Sequence, residues 1–281
     1  MQVSSPATLA EALEELAAYP DTVPLAGGTD LMVAINFGRE RPQRVMSLRH
    51  IGELAELDQE GLVRCGALVT YTRMLAELRD PVMRQASRTV GSPQIRNAGT
   101  LGGNLGTCSP AGDTLPALAA LDATVVLASR QGQRRLPLTD FMTGPKQPDR
   151  RPDELVLGAE WHLAGEAQAF SKAGTRNAMV IAVANCAVVV DGASRRVGVA
   201  LGSVGPVILR AAGAERFAEG LLGELGWGLP LQLPESALVE FGRLAAETAR
   251  PIDDVRGTAA YRRHLVAVMA RRALERACGS A

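Results

Sequence analysis

Two segments of this 281-residue chain place glycine where an anion could be held. Pro24 to Met32 reads PLAGGTDLM, and Asn97 to Asp113 reads NAGTLGGNLGTCSPAGD. Paired glycines let backbone N–H groups converge on one anion because no Cβ intervenes. A helix that follows directly adds partial positive charge at its start. Neither segment contains Lys or Arg, so an anion bound there is bound by backbone. A charge-assisted hydrogen bond contributes ~1.5–3 kcal/mol, and four or five of them could hold a diphosphate without a basic side chain. The patterns GxGxxG and GxxxxGK[ST] are both absent, so neither the dinucleotide fingerprint nor the P-loop accounts for these segments. Taken singly, each is also what most Gly-Gly pairs are, a turn.

Other chemistry is sparse. Cys65, Cys108, Cys186 and Cys278 stand far apart, and His50, His162 and His264 have no ligand-type neighbours. Zinc and iron–sulfur sites draw on closely spaced pairs, so no metal centre and no disulfide framework is expected within the chain. Of the 30 basic residues only Lys146 and Lys172 are lysine. Where Arg is the default cation, a Lys position has more reason to need a compact ammonium. Lys146 reads as surface and His162 as structural. Cys108 reads as a small loop side chain. Arg262, Arg263, Arg271 and Arg272 read as a solvated helix face that could also dock a partner.

The elements that would position these residues follow from periodicity. Leu9, Ala12, Leu13, Leu16 and Ala17 predict a helix over Ser4 to Tyr19, with Ser4 or Ser5 as cap and Pro6 in its first turn. A strand at Val23–Ala26 runs into Gly27-Gly28, and a helix over Asp30 to Phe37 leads to a strand at Val45–Leu48. Leu62–Ala67 reads as strand, and Thr72–Leu78 and Asp80–Arg88 as helices. Gly91 to Asp113 reads as loop, followed by a helix at Thr114–Leu121 and strands at Thr124–Ala128 and Leu155–Leu163. Met179–Val183, Ala187–Val190 and Val197–Leu201 read as three strands, with helices from Ala211 onward.

Composition sets the outer bounds. The length gives room for about two domains, and 47% hydrophobic residues supply a sizeable core. Thirty basic residues balance thirty acidic ones, which gives little of the counterion-release energy on which nucleic-acid binding rests. The longest nearly apolar stretch, Ala178 to Val190, contains Asn185 and is shorter than the ~20 residues of a bilayer span. The opening MQVSSPATLAEAL lacks a basic and then apolar leader, so the default compartment is the cytoplasm.

Taken together and in order, the motifs resemble one family. Ala26 to Leu31 (AGGTDL) and Ile95 to Asn104 (IRNAGTLGGN) resemble the two FAD-pyrophosphate loops of the molybdenum hydroxylase flavoprotein subunits. That group includes the medium subunit of carbon monoxide dehydrogenase and the flavin domain of xanthine dehydrogenase. Ser109 to Asp113 (SPAGD) resembles the family segment whose aspartate contacts the flavin nucleotide. Phe141 to Gly144, leading to Pro152 to Leu155 (PDEL), resembles the stretch before its next flavin-site strand. Ala169 to Lys172 (AFSK) resembles the strand whose lysine lies close to the flavin ring, and Asp254 to Arg263 (DVRGTAAYRR) the C-terminal helical signature.

The resemblance implies an α+β fold. Residues 1–164 would form a vanillyl-alcohol-oxidase (PCMH)-type FAD-binding domain in two α/β subdomains, about 1–55 and 56–164. Residues 165–281 would form a C-terminal domain with a three-stranded antiparallel sheet and helices. It assigns Leu25, Ala26, Gly27, Gly28, Thr29, Asp30, Leu31, Thr100, Leu101, Gly102, Gly103 and Asn104 to the pyrophosphate cradle. It makes Asp113, Leu155 and Lys172 further cofactor contacts; without the resemblance, Asp113 reads as the cap of the helix after it and Lys172 as a solvated strand lysine.

The implied role is an electron-transfer subunit that carries FAD. The molybdenum cofactor would lie in a large partner subunit and 2Fe-2S clusters in a small one, in a dimer of heterotrimers. Electrons would leave to NAD, a quinone or oxygen. The complex would be cytoplasmic, or held at the inner face of the membrane. The inserted cysteine-rich segment of the hydroxybenzoyl-CoA reductase relatives is missing. Two other readings stand beside this one: a self-sufficient PCMH-type oxidase of a small alcohol or lactone, and a scaffold subunit that has lost FAD.

Overall fold

A computed structural model describes residues 1–279. The chain starts with a small parallel sheet, ordered β1-β3-β2, built from β1 (Gln2–Ser4), β2 (Val23–Leu25) and β3 (Arg44–Ser47). Between these strands run α1 (Leu9–Ala18) and α2 (Leu31–Asn36). The first helix begins later than its periodicity predicts. Gln2 to Ser4 is drawn into parallel pairing with Arg44 to Met46, so neither Ser4 nor Ser5 caps the helix. The cap is Thr8, whose hydroxyl accepts from the Glu11 amide at 3.2 Å, while Glu11 accepts in return from the Ala7 amide. Ala12 and Leu16 bury against Met46, Leu48 and Leu155.

The middle of the chain folds around an antiparallel sheet ordered β4-β5-β10-β6-β7. Its strands are β4 (Leu57–Asp58), β5 (Leu62–Gly66), β6 (Thr124–Ser129), β7 (Gly132–Pro137) and β10 (Leu155–His162). A small hairpin of β8 (Met142–Gly144) and β9 (Gln147–Pro148) follows the short helix α8 (Leu138–Phe141). The helices α3 (Tyr71–Glu77), α4 (Pro81–Arg88) and α7 (Thr114–Ala120) match the predicted positions closely.

The segment expected to be loop is not. It forms α5 (Pro93–Ala98) and α6 (Leu101–Thr107). Glycine disfavours a helix by ~1 kcal/mol per residue, but here tertiary contact prevails. A Cβ on Gly102 would sit 2.5 Å from that of Ala67, so only glycine lets α6 approach that backbone.

The last region is an antiparallel sheet covered by three helices. Its strands are β11 (Gln168–Ala173), β12 (Ala184–Asp191), β13 (Arg196–Gly202) and the two-residue β14 (Leu209–Arg210), in that order. The expected strand at Met179–Val183 is absent. Arg176 folds that segment into a loop by donating to the Ala178 carbonyl at 3.0 Å and to the Met179 carbonyl, and Met179 takes a φ of 53°. The sheet thus opens with Gln168–Ala173 and has a fourth short strand beyond the three expected. The covering helices are α9 (Ala212–Leu225), α10 (Glu235–Thr248) and α11 (Ala259–Gly279). The expected final domain, 165–281, runs over residues 280 and 281, which lie outside the described residues.

This sheet is a wall shared by two cores, because strand side chains alternate between faces. Cys186, Val188, Val190, Val199 and Leu201 face Phe241, Val266 and Leu274 of the helices. Phe170, Ala187, Val189 and Ala200 instead join the core of the middle region with Leu115, Leu118 and Trp161. A buried polar joint reinforces the junction. Asp80, at the start of α4, accepts from Trp161 Nε1 at 2.7 Å and from Gln168 Nε2 at 3.0 Å. Gln168 in turn accepts from the Val82 amide. Burial pushes the Asp80 carboxyl above its ordinary range, against the pull of these donors.

Trp161→Phe removes one donor from a buried carboxylate and should cost ~1–3 kcal/mol. Thermal unfolding of the variant checks this, and an unchanged midpoint would show that the joint carries no stability.

Candidate functional site

The first glycine loop leaves β2 and enters α2. Gly28 takes a φ of +71°, which an L side chain rarely adopts. Gly27 is constrained by contact instead: an added Cβ would lie 1.8 Å from the Ala98 carbonyl oxygen and 3.1 Å from the Gly99 Cα. The two loops therefore touch backbone to backbone and form one site. Among the described residues, none accepts from the backbone N–H groups of residues 27–31. Asp30 stands at the start of α2 without capping it. Its Oδ2 accepts from the Thr107 hydroxyl at 2.8 Å, tying the first loop to the far end of α6.

The second loop is spent differently. Thr100 precedes α6, and its hydroxyl accepts from the Gly103 amide at 3.0 Å. The Leu101 and Gly102 amides donate to the Val69 and Ala67 carbonyls, and the Asn104 amide to the Thr100 carbonyl. Asn104 Oδ1 accepts from the Thr114 hydroxyl at 2.7 Å, which leaves its Nδ2 as a donor beside Gly112. Gly103 presents a bare face, since an added Cβ would meet nothing nearer than Thr100 Oγ1 at 3.2 Å. The first loop thus offers the free amides, and the second offers a side-chain amide and room.

Asp113 and Lys172 meet. Lys172 Nζ lies 2.5 Å from Asp113 Oδ2, and their side chains are only 9% and 6% exposed. Lys172 also donates to the Thr89 carbonyl at 3.1 Å. The Thr89 hydroxyl, shared with the Ala86 carbonyl, reaches Asp113 Oδ2 at 3.2 Å. Asn185 Nδ2 donates to Oδ1 at 3.1 Å. Burial pushes the Asp113 carboxyl up, while the Lys172 charge and the hydrogen bonds pull it back. Asp113 does stand at the N-cap position of α7, although its side chain makes no capping hydrogen bond, and Lys172 is buried rather than solvated. Beside Lys172 opens a cleft of about 340 Å³ lined by Gln85, Arg88, Thr89, Phe170 and Arg276.

The remaining expectations divide. Leu155 lies 2% exposed in the apolar cluster with Leu16, Met46 and Ala67, against which Ala26 of the first loop also packs. Cys108 closes α6 in the left-handed region and is fully buried, with its thiol pushed up to about 11 by burial. His162 is exposed at the end of β10, and Lys146 is exposed on the hairpin. Arg262 is not on a solvated face. It is 3% exposed and donates to the Val183 and Ser203 carbonyls and to Asp254. Sequence reading passed over Thr89, Asn185 and Gly202; the visible signal was Asn185 as an amide within an apolar stretch.

Comparison with known proteins places the chain in a family. Residues 1–160 match the family described as the FAD binding domain in molybdopterin dehydrogenase. Residues 168–277 match the CO dehydrogenase flavoprotein C-terminal domain. The chain is 40% identical to the nicotinate dehydrogenase FAD-subunit of Eubacterium barkeri over 64% of each chain. It is 26% identical to the xanthine dehydrogenase FAD-binding subunit of Escherichia coli O157:H7, over 98% of this chain and 95% of that one. It superposes on a chain of the reconstituted CO dehydrogenase from Oligotropha carboxidovorans with a TM-score of 0.90 and 28% identity, over 100% and 98% of the two chains.

Lys172→Met leaves Asp113 buried without its counter-charge, and should cost ~3 kcal/mol at neutral pH. The folded state already holds the Asp113 proton more tightly than the unfolded chain does, and losing Lys172 strengthens that hold. The deficit should therefore shrink toward pH 4, as the carboxyl takes up a proton. Unfolding curves at several pH values test this; a deficit independent of pH would contradict it.

Proposed function

The chain belongs to the family of FAD-binding domains of molybdopterin dehydrogenases, and from that premise we propose that it is the flavin-carrying electron-transfer subunit of a molybdenum hydroxylase complex. The observation that carries the cofactor assignment is the run of amides at residues 27–31 without protein acceptors, in a loop whose Gly27 packs backbone to backbone against the second glycine loop. These residues fit FAD. In this reading Leu25 to Leu31 and Thr100 to Asn104 hold the diphosphate, with the first loop supplying backbone donors and Asn104 its Nδ2. Lys172 lies near the flavin ring with Asp113 paired to it, and Asp113 and Leu155 are further cofactor contacts. Residues 1–164, with subdomains 1–55 and 56–164, form the FAD-binding domain, and 165–281 the C-terminal domain that closes on it.

Bound FAD takes up electrons singly and gives them up in pairs, which suits a relay between one-electron clusters and a two-electron acceptor. The protein's own contribution is position and electrostatics. Loop contacts fix the diphosphate, and the Asp113–Lys172 pair sets a fixed, buried charge arrangement that needs no reorganisation when electrons arrive.

In this proposal the molybdenum cofactor lies in a large partner subunit and 2Fe-2S clusters in a small one, in a dimer of heterotrimers, with NAD, a quinone or oxygen as acceptor. Among the described residues, no group of His, Cys, Asp and Glu is placed to hold a metal ion; in this reading the clusters belong to the partner. Exposed Met179, Ile181, Ile252, Val255 and Tyr261 support the existence of partner contacts. No described helix is long and apolar enough to cross a membrane, and a cytoplasmic complex is the compartment we propose.

Gly103→Asp tests the cradle. The added Cβ asks only for a small shift of the Thr100 hydroxyl, 3.2 Å away, and its carboxylate would point at the diphosphate. The variant should unfold like the wild type while losing FAD after desalting, read from the visible spectrum. Full flavin occupancy would remove these loops from the site.

A further inference from the structure

Asn185 is fully buried, in a stretch otherwise composed of small and apolar side chains. Its place is set by strand register. Lys172 pairs with Asn185 across β11 and β12, and Asn185 pairs with Gly202 across β12 and β13. Directly paired residues project to the same face, so Lys172, Asn185 and Gly202 form one row aimed at the start of α7, where Asp113 stands. Asp113, when ionised, only accepts hydrogen bonds, which fixes the amide with Nδ2 toward it. Asn185 Oδ1 is then left without a partner. It lies against Gly202, where an added Cβ would be 2.2 Å away.

We propose that Asn185 is a positioning residue of the flavin site: its amide holds Asp113 Oδ1, keeping the carboxylate ionised with Oδ2 against Lys172, so that the pair carries no net charge. Gly202 is the glycine that makes room for it. The link to the flavin rests on the cofactor reading above. Lys172 from β11 is the cation in contact with the carboxylate, and the Tyr71 phenol from α3 feels its charge. Arg88 from α4 and Arg276 from α11 line the cleft beside Lys172. Asn185, Gly202, Thr114 and Asn104 bring no charge from β12, β13, α7 and α6. Loss of the amide donor therefore raises the Asp113 pKa and exposes the Lys172 charge once the carboxyl is protonated.

Asn185→Leu keeps the branching at Cγ and removes the donor; Asn185→Ala, which adds no bulk, is read in the same way. In the FAD-free protein the loss of thermal stability should grow from pH 4 to pH 7, and the pH dependence of that loss should vanish in an Asp113→Asn background. A loss that is the same at every pH would overturn the proposed Asn185–Asp113 coupling, whether or not FAD binds. With FAD bound at pH 6, the ratio of reduced to oxidised flavin affinity should rise about tenfold, about 30 mV in a two-electron midpoint potential. An unchanged potential would overturn the link to the flavin. Failure of the wild type to bind FAD would instead strike the cofactor reading, and the FAD-free arm would still decide the coupling.

Discussion

The Asp113 carboxylate is the point on which the two halves of the molecule agree. A bare carboxylate at 6% exposure would cost several kcal/mol and would be protonated instead. Three elements prevent this: β11 brings Lys172, β12 brings Asn185 and the end of α4 brings Thr89. None of these groups is near Asp113 in sequence. Thr89 belongs to the middle region with Asp113, but Lys172 and Asn185 arrive only when the C-terminal sheet lies against that region, so satisfying one carboxylate helps to fix the docking of the whole wall. Ser203 at the end of β13 completes the clamp by donating its amide to the Pro110 carbonyl at 2.8 Å, just before the same turn.

Close backbone approach is the second constraint. Gly27 against Ala98, Gly102 against Ala67 and Gly198 against Ala120 each leave no space for a Cβ. These contacts bring the first loop to the second, α6 to the strand edge, and β13 to α7. The consequence for chemistry is an uneven cradle. The amides of one loop have no protein acceptor, while those of the other anchor α6 to residues 67 and 69 and cap its start.

Much of this was legible in the sequence, because glycine pairs, periodic apolar positions and an ordered set of motifs survive without coordinates. What escaped was decided at long range. Gly91 to Asp113 reads as loop because its glycines disfavour helix locally, and only packing on Ala67 and Val69 reverses that. Ser4 reads as a cap until a strand 40 residues away claims it. Met179–Val183 has the composition of a strand, yet Arg176 turns it aside. Arg262 reads as one more surface arginine, although two carbonyls and Asp254 hold it inside. Lys172 and Asp113 were each legible as candidate site residues, but their pairing depends on register, which no local pattern records.

The central claim is that the two loops hold FAD. The most direct measurement is a titration of the purified chain with FAD, followed by desalting and a visible spectrum, alone and after co-expression with its partner subunits. The account predicts one flavin retained per chain. A chain that retains no flavin in either form would contradict it.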